Sequence, residues 1–198
     1  MSSLRDIIPI GPSIPRRGGR FSQSFGQNVL ALFGWRIVGE ISDKPKMVMI
    51  AGPHTSNWDF VLGVLCLLSL GLRVRWIGKH TIFVGPFGVW LRYFGGIPVN
   101  RSNPGALFRD ILKGFEKNDA YIFALSPEGT RSKVVQWKPG FHRIARGANV
   151  PLLLVGLDFR LKVVQFGPVF ETSDNFESDV TLLKSHFMTI SPKHPELF

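Results

Sequence analysis

A recurring alternation limits the folds open to this chain. Six short apolar runs, at residues 47–51, 74–77, 97–99, 121–125, 150–155 and 161–166, are separated by turn residues or by stretches with helical periodicity. Runs this short, bounded by Gly, Pro and polar residues, suit strands buried on both faces and are too brief for helices. The periodicity between them predicts helices at 56–70, 87–94, 104–115, from about 140, and at 175–188. Strands alternating with helices predict an α/β layered domain, with a mostly parallel or mixed sheet flanked by helices. At 198 residues and 44% apolar content there is material for one such core, and no repeat or linker divides it. We therefore expect one domain over residues 21–198, behind a poorly structured lead at 1–20 that carries Pro9, Pro12, Pro15, Arg16, Arg17 and Arg20.

The domain should begin with an amphipathic helix at 21–38, which sets Phe25, Val29, Leu32, Phe33 and Ile37 near one face. A basic cluster followed by such a helix fits an interfacial membrane anchor, and equally fits a first helix packed on the core. Residues 60–72 are the longest uncharged apolar stretch, but 13 residues fall short of the ~20 that a spanning helix needs. Prolines and a glycine break residues 7–14, so we expect no secretory signal there. Membrane contact, on this reading, is peripheral or monotopic.

The formal charge of +10 attracts polyanions, either nucleic acid or anionic lipid. The aromatic residues sit in apolar runs and are not interleaved with Lys or Arg as a base-stacking platform, which argues against nucleic acid. Cys66 is the only cysteine and lies inside the apolar stretch, so it reads as a buried structural thiol with no disulfide partner in the chain.

Two turns carry concentrated chemistry. The first, His-Thr-Ser-Asn-Trp-Asp at 54–59, joins an expected strand to an expected helix. Asp59 in the first helical turn could reach back to His54, hold one ring nitrogen and leave the other as a base. Ser56 and Asp59 also fit a capping box, in which the carboxylate serves only the helix end. The second turn, Ser-Pro-Glu-Gly-Thr-Arg-Ser at 126–132, brings Glu128, Gly129, Thr130 and Arg131 together. Gly129 permits close approach, and the hydroxyls beside a guanidinium suit a phosphate; a local Glu128–Arg131 pair is the plainer reading. Arg101, at the end of another expected strand, could join Arg131 in a phosphate clamp or simply face solvent. There is no G-x-S-x-G elbow, no P-loop, no dinucleotide fingerprint and no zinc-like spacing among the five histidines and Cys66.

Taken together, these motifs resemble the lysophospholipid and glycerol-phosphate acyltransferase superfamily. His-x4-Asp matches residues 54–59, and the Gly-Lys followed by a strand ending in arginine matches 78–101. Pro-Glu-Gly-Thr-Arg-Ser matches 127–132, and the proline in an apolar strand matches Pro151. Lys138-Pro139-Gly140 resembles the Lys-x-Gly element that follows the third motif. The likeness spans roughly residues 47–157, with the motifs in the family's order. Asn100 and Ser126 depart from the residues common in the family, and leave the acceptor open.

The resemblance implies His54 as base and Asp59 as its orienting carboxylate. It implies Lys79, Arg101, Glu128, Gly129, Thr130, Arg131 and Pro151 as substrate contacts. It further implies no metal or bound cofactor, acyl-CoA or acyl-carrier protein as donor, and a lysolipid acceptor such as 1-acylglycerol 3-phosphate. The expected location is the cytoplasmic face of an anionic membrane. A non-phosphoglycerol acceptor and a non-catalytic lipid binder are the competing readings. The motif-one helix and the N-terminal helix are the expected walls of an acyl groove.

Overall fold

Period-two alternation in the central strands divides their side chains between two cores. In β2 (Lys46–Gly52), Met47 and Met49 face one cluster and Val48 and Ile50 the other. In β6 (Leu152–Asp158), Leu153 and Val155 join the first cluster, Leu152 and Leu154 the second. Every residue of β6 is buried, as a strand covered on both faces requires. Truncating a fully buried side chain here, such as Leu153→Ala, costs about 2–5 kcal/mol through lost transfer energy and a residual cavity.

The computed structural model describes residues 8–99 and 104–198. The remaining strands are β1 (Arg36–Gly39), β3 (Val74–Lys79), β4 (Gly96–Val99), β5 (Tyr121–Leu125) and β7 (Val163–Phe170). They form one sheet in the order β1-β7-β6-β2-β5-β3-β4, parallel except where β7 runs antiparallel to β6. Helices α1 (Arg20–Leu32), α2 (Asn57–Leu70) and α3 (Gly85–Tyr93) lie on one face, and α4 (Pro104–Lys117), α5 (Gly140–Ala148) and α6 (Phe176–Phe187) on the other. The expected α/β layers with a leading amphipathic helix are therefore present. No helix among the described residues is long and apolar enough to cross a membrane.

Three local expectations need correction. The first helix ends at Leu32, and Arg36–Gly39 form a strand paired with residues 163–166 of β7. Leu161 lies in a turn before β7, because Asp158 Oδ1 accepts its N–H at 2.7 Å and Oδ2 accepts that of Ser191 at 3.2 Å. The lead is ordered over residues 8–20: Ile8 and Ile14 are buried, Arg17 N donates to Gly71 O at 2.8 Å, and Arg73 N donates to Pro15 O at 2.8 Å.

The seating of α1 reverses a simple amphipathic reading. It meets α2 through Gly26 and Leu30; a Cβ on Gly26 would sit 2.8 Å from both Leu65 O and Ser69 N, so only glycine allows this approach. Its apolar stripe, including Phe21, Phe25 and Leu32, is left exposed on the outside.

Candidate active site

The parallel order sets the site. β5 lies beside β2 in register, Ile50 against Leu125, and β3 lies beside β5. The turns leaving the carboxyl ends of these three neighbours therefore adjoin, at the edge where open α/β sheets form their crevices. The turn after β2 carries His54, that after β5 carries residues 126–132, and β3 ends in Lys79.

One carboxylate oxygen of Asp59 both caps the helix and reaches the imidazole. Asp59 Oδ2 accepts from the backbone N–H of Thr55 at 2.9 Å and of Ser56 at 2.7 Å, and Ser56 Oγ accepts from Trp58 N at 3.1 Å, which completes a capping box. The same Oδ2 lies 2.9 Å from His54 Nδ1. The cap thus fixes the carboxylate, and the carboxylate fixes the ring. An ionised Asp59 requires Nδ1 to carry the proton, which leaves the Nε2 lone pair for a substrate. Asp59 is buried, with its side chain 2% exposed, whereas the His54 side chain is 25% exposed.

Glu128 stands behind this pair. The residue is 3% exposed, and both carboxylate oxygens lie 3.2 Å from the backbone N of His54. It thus braces the histidine turn and is closed off from the cavity that Gly129, Thr130 and Arg131 line. Burial pushes its carboxyl up to about 7; the His54 N–H and imidazole oppose the rise, and the Asp59 charge adds to it. Gly129 adopts φ +66°, and a Cβ there would press to 3.2 Å from the Lys138 side chain, so glycine holds the tight turn against Lys138.

His54 opens into a cavity of about 750 Å³. Its rim carries Lys79, Thr130, Arg131, Ser132 and Lys138; no carboxylate among the described residues pairs with Lys79, Arg131 or Lys138. Its floor is apolar and comes from Ile77, Leu107, Phe108, Ile111, Phe141 and Ile144. An anion and a hydrocarbon chain can therefore share the cavity, one at each end.

Not every expected residue gathers here. Arg101 lies outside the described residues. Pro151 precedes β6, and the parallel register of β6 with β2 (Val48 opposite Leu152, Gly52 opposite Gly156) puts it at the far edge of the sheet from His54. There it accepts a hydrogen bond from Val48 N at 2.9 Å, so it is a strand-entry residue and not a cavity contact. The groove walls also differ from expectation: α4 and α5 supply them, while α1 supplies none. Cys66 is buried in α2, and burial pushes its thiol far up, away from nucleophilic use.

Sequence reasoning names Ser126 only as a departure from the family pattern and does not identify the residues of the apolar floor. Ser126 Oγ is buried in the cavity wall without a hydrogen-bond partner among the described residues. The floor was signalled only by the amphipathic spacing of residues 107, 108 and 111, which does not say what faces them.

Comparison with known proteins returns acyltransferases. A chloroplastic 1-acyl-sn-glycerol-3-phosphate acyltransferase of Brassica napus is 32% identical over 120 residues, 58% of this chain and 35% of its own. The 1-acyl-sn-glycerol-3-phosphate acyltransferase of Streptococcus pneumoniae is 25% identical over 177 residues, covering 79% of this chain and 66% of the relative. The chain thus spans about a third of the plant relative's length. The crystal structure of the 1-acyl-sn-glycerophosphate acyltransferase from Thermotoga maritima shares the fold, with TM-score 0.62 and 18% identity over 86% of this chain and 76% of that one. The sequence profile of the family described as Acyltransferase matches residues 36–157, more than half of the chain, which places this protein in that acyltransferase family.

Proposed function

We propose that this protein transfers a fatty acyl group from a thioester, acyl-CoA or acyl-carrier protein, to the free hydroxyl of 1-acylglycerol 3-phosphate or a close lysolipid. The observation that carries the reading is His54, oriented by Asp59 at 2.9 Å, at the mouth of a cavity with a cationic rim and an apolar floor. His54 Nε2 takes the proton of the acceptor hydroxyl as its oxygen bonds to the thioester carbonyl carbon. The tetrahedral intermediate then breaks its C–S bond, and the imidazolium returns the proton to the leaving thiolate. The ester gains what the thioester loses, and no covalent acyl-enzyme is needed. A base so placed contributes ~10²–10⁴-fold. Holding both substrates in one cavity adds proximity and orientation.

Lys79, Arg131 and Lys138 have the charge to hold the acceptor phosphate, with Thr130 as a further hydrogen-bonding group. Arg101 is a candidate fourth contact. Glu128 serves by holding the His54 backbone, and its charge, when ionised, favours the imidazolium. No metal or organic cofactor enters the reaction as written. The exposed apolar stripe of α1 beside Arg16, Arg17 and Arg20 supports peripheral attachment to an anionic membrane, at its cytoplasmic face.

The test offers purified protein labelled acyl-CoA and acyl-carrier protein with a panel of lysolipids on anionic vesicles. The expected product is a diacyl phospholipid from a phosphate-bearing acceptor. Acylation confined to neutral or amino-acid-linked lipids would overturn the acceptor assignment, and no product from a folded, vesicle-bound protein would overturn the reading.

A further inference from the structure

A second cationic cavity lies at the opposite edge of the sheet. Arg16, Arg17, Arg73 and Arg75 line a bowl of about 300 Å³, with Val74, Tyr93 and Gly95 completing it. Arg73 stands just before β3 and Lys79 ends it, so at about 3.3 Å per residue the two sites are about 20 Å apart. One phosphate cannot occupy both.

The bowl is built by long-range contacts. Arg16 bridges Leu72, Arg17 N donates to Gly71 O at 2.8 Å, and Arg73 N donates to Pro15 O at 2.8 Å. These bonds bring the arginines of the lead beside those that flank the start of β3. The Arg17 guanidinium is seated 4.0 Å from the centre of the Tyr93 ring and 5.3 Å from that of Phe94. Among the described residues, none of the four guanidinium groups pairs with a carboxylate. Arg16, Arg17 and Arg73 bring like charges to one concavity, and an anion relieves their repulsion, whereas Arg75 stands opposite Phe123 and directs its side chain toward the α4–α5 face. Guanidinium forks match phosphate oxygens best.

The surroundings indicate where that phosphate comes from. An apolar groove floored by Val64, Leu67, Leu68 and Leu72 adjoins the bowl and shares Arg17 and Tyr93 with it. The groove is small, about 70 Å³, and suits the carbons next to a head group. Phe21, Trp90 and Tyr93 stand exposed on the helices around it, Phe21 at 86%. A soluble anion would use the bowl alone. A phospholipid still resident in a bilayer would use the bowl, the groove and the exposed rings together.

We propose that Arg16, Arg17 and Arg73 form a non-catalytic site for the phosphate of an anionic phospholipid in the membrane on which the protein works. The site orients the α1–α2–α3 face against the bilayer. This inference rests on the membrane-surface part of the proposed function and is independent of the chemistry at His54.

The experiment compares R16Q/R73Q with K113Q/K117Q, a pair on α4 across the sheet that removes the same charge. Partitioning to phosphatidylcholine vesicles containing phosphatidate should fall about 30-fold for the arginine pair and less than about threefold for the lysine pair. Melting curves should match the parent for both. The arginine pair should acylate a short-chain acceptor in vesicle-free solution at the parent rate. Equal losses from the two pairs would reduce the effect to net charge and overturn the site, as would no loss from the arginine pair. Tight binding of inorganic phosphate without vesicles, lost in R16Q/R73Q, would assign the bowl to a soluble ligand and overturn the lipid. Loss of vesicle-free turnover in R16Q/R73Q would place the bowl in the catalytic machinery and contradict the proposal. A parent that acylates nothing leaves the vesicle arms intact, so the two readings fail separately.

Discussion

Two histidine–carboxylate pairs occur in this molecule with nearly the same geometry and different surroundings. His54 Nδ1 lies 2.9 Å from Asp59, and His142 Nε2 lies 3.0 Å from Asp179. In both, the carboxylate holds the chain that leads into a helix: Asp59 accepts from Thr55 and Ser56, and Asp179 from Ser173 through its N–H at 2.7 Å and its Oγ at 2.8 Å. The imidazoles differ. His142 is enclosed between α5 and α6, with side-chain exposures of 6% and 4% for the pair, and its ring meets Phe141 and Phe176. His54 stands at a strand's carboxyl end and opens into the large cavity. A bonded pair is therefore not a catalytic signature by itself. Access to the second ring nitrogen, beside charge and hydrocarbon, is what the role proposed for His54 requires.

That contrast is sharpest under alanine substitution. His54→Ala should lower the acyl-transfer rate about 10³-fold, while stability changes by less than about 1 kcal/mol because Asp59 keeps its backbone donors. His142→Ala should do the reverse. Asp179 keeps its Ser173 donors, but removing the enclosed ring leaves a cavity against Phe141 and Phe176, which costs about 2–3 kcal/mol, or roughly 5–10 °C in Tm, with kcat/KM of the folded fraction within about twofold of the parent. A melting curve and a progress curve on each variant check both halves, and equal behaviour of the two variants would erase the distinction. Asp59→Ala, which serves both roles, should lose about 10²-fold in rate and also about 1–2 kcal/mol from the lost cap.

Smaller effects sharpen the comparison at the cavity rim and behind it. Arg131→Gln should reduce kcat/KM about tenfold for phosphate-bearing acceptors and less than about threefold for neutral ones. Equal losses would remove Arg131 from phosphate recognition. Behind the rim, Glu128 gives a pH signature of its own. Its carboxyl is raised from 4.5 to about 7, so between those values the folded state binds more protons than the unfolded one. Its contribution is fully present below about 4.5 and is lost as pH rises through about 7, on the order of 3 kcal/mol in all. Denaturant titrations of Glu128→Gln should lack that decline, and an unchanged slope would show that the carboxyl is not perturbed.

How far the sequence could be read depended on the range of the contacts involved. β5 was read at its true limits, Tyr121–Leu125, and α2 stops at Gly71 as its pattern predicts, because both signals are local. Residues 36–38 carry the helical pattern but belong to an edge strand; its partner begins at Val163, and no local pattern carries a pairing across that distance. The burial of Ile14 has the same origin, since the lead is fixed by Gly71 and Arg73. At the site, His54 and Asp59 were legible because a capping box and a His–Asp pair are both encoded within six residues. Glu128 was found as a residue, but its burial depends on the adjacency of β2 and β5. The apolar floor needed α4 and α5 to meet over the same cavity, which only the packed sheet decides.

The most direct test of the central claim is single-turnover acyl transfer from a labelled thioester to 1-acylglycerol 3-phosphate, by the parent and by His54→Ala at matched melting temperature. The predicted result is rapid ester formation by the parent and a loss of about 10³-fold in the variant, without accumulation of acyl-protein in either. A variant that forms product at the parent's rate, or a parent whose label first appears on the protein, would contradict direct transfer with His54 as the base.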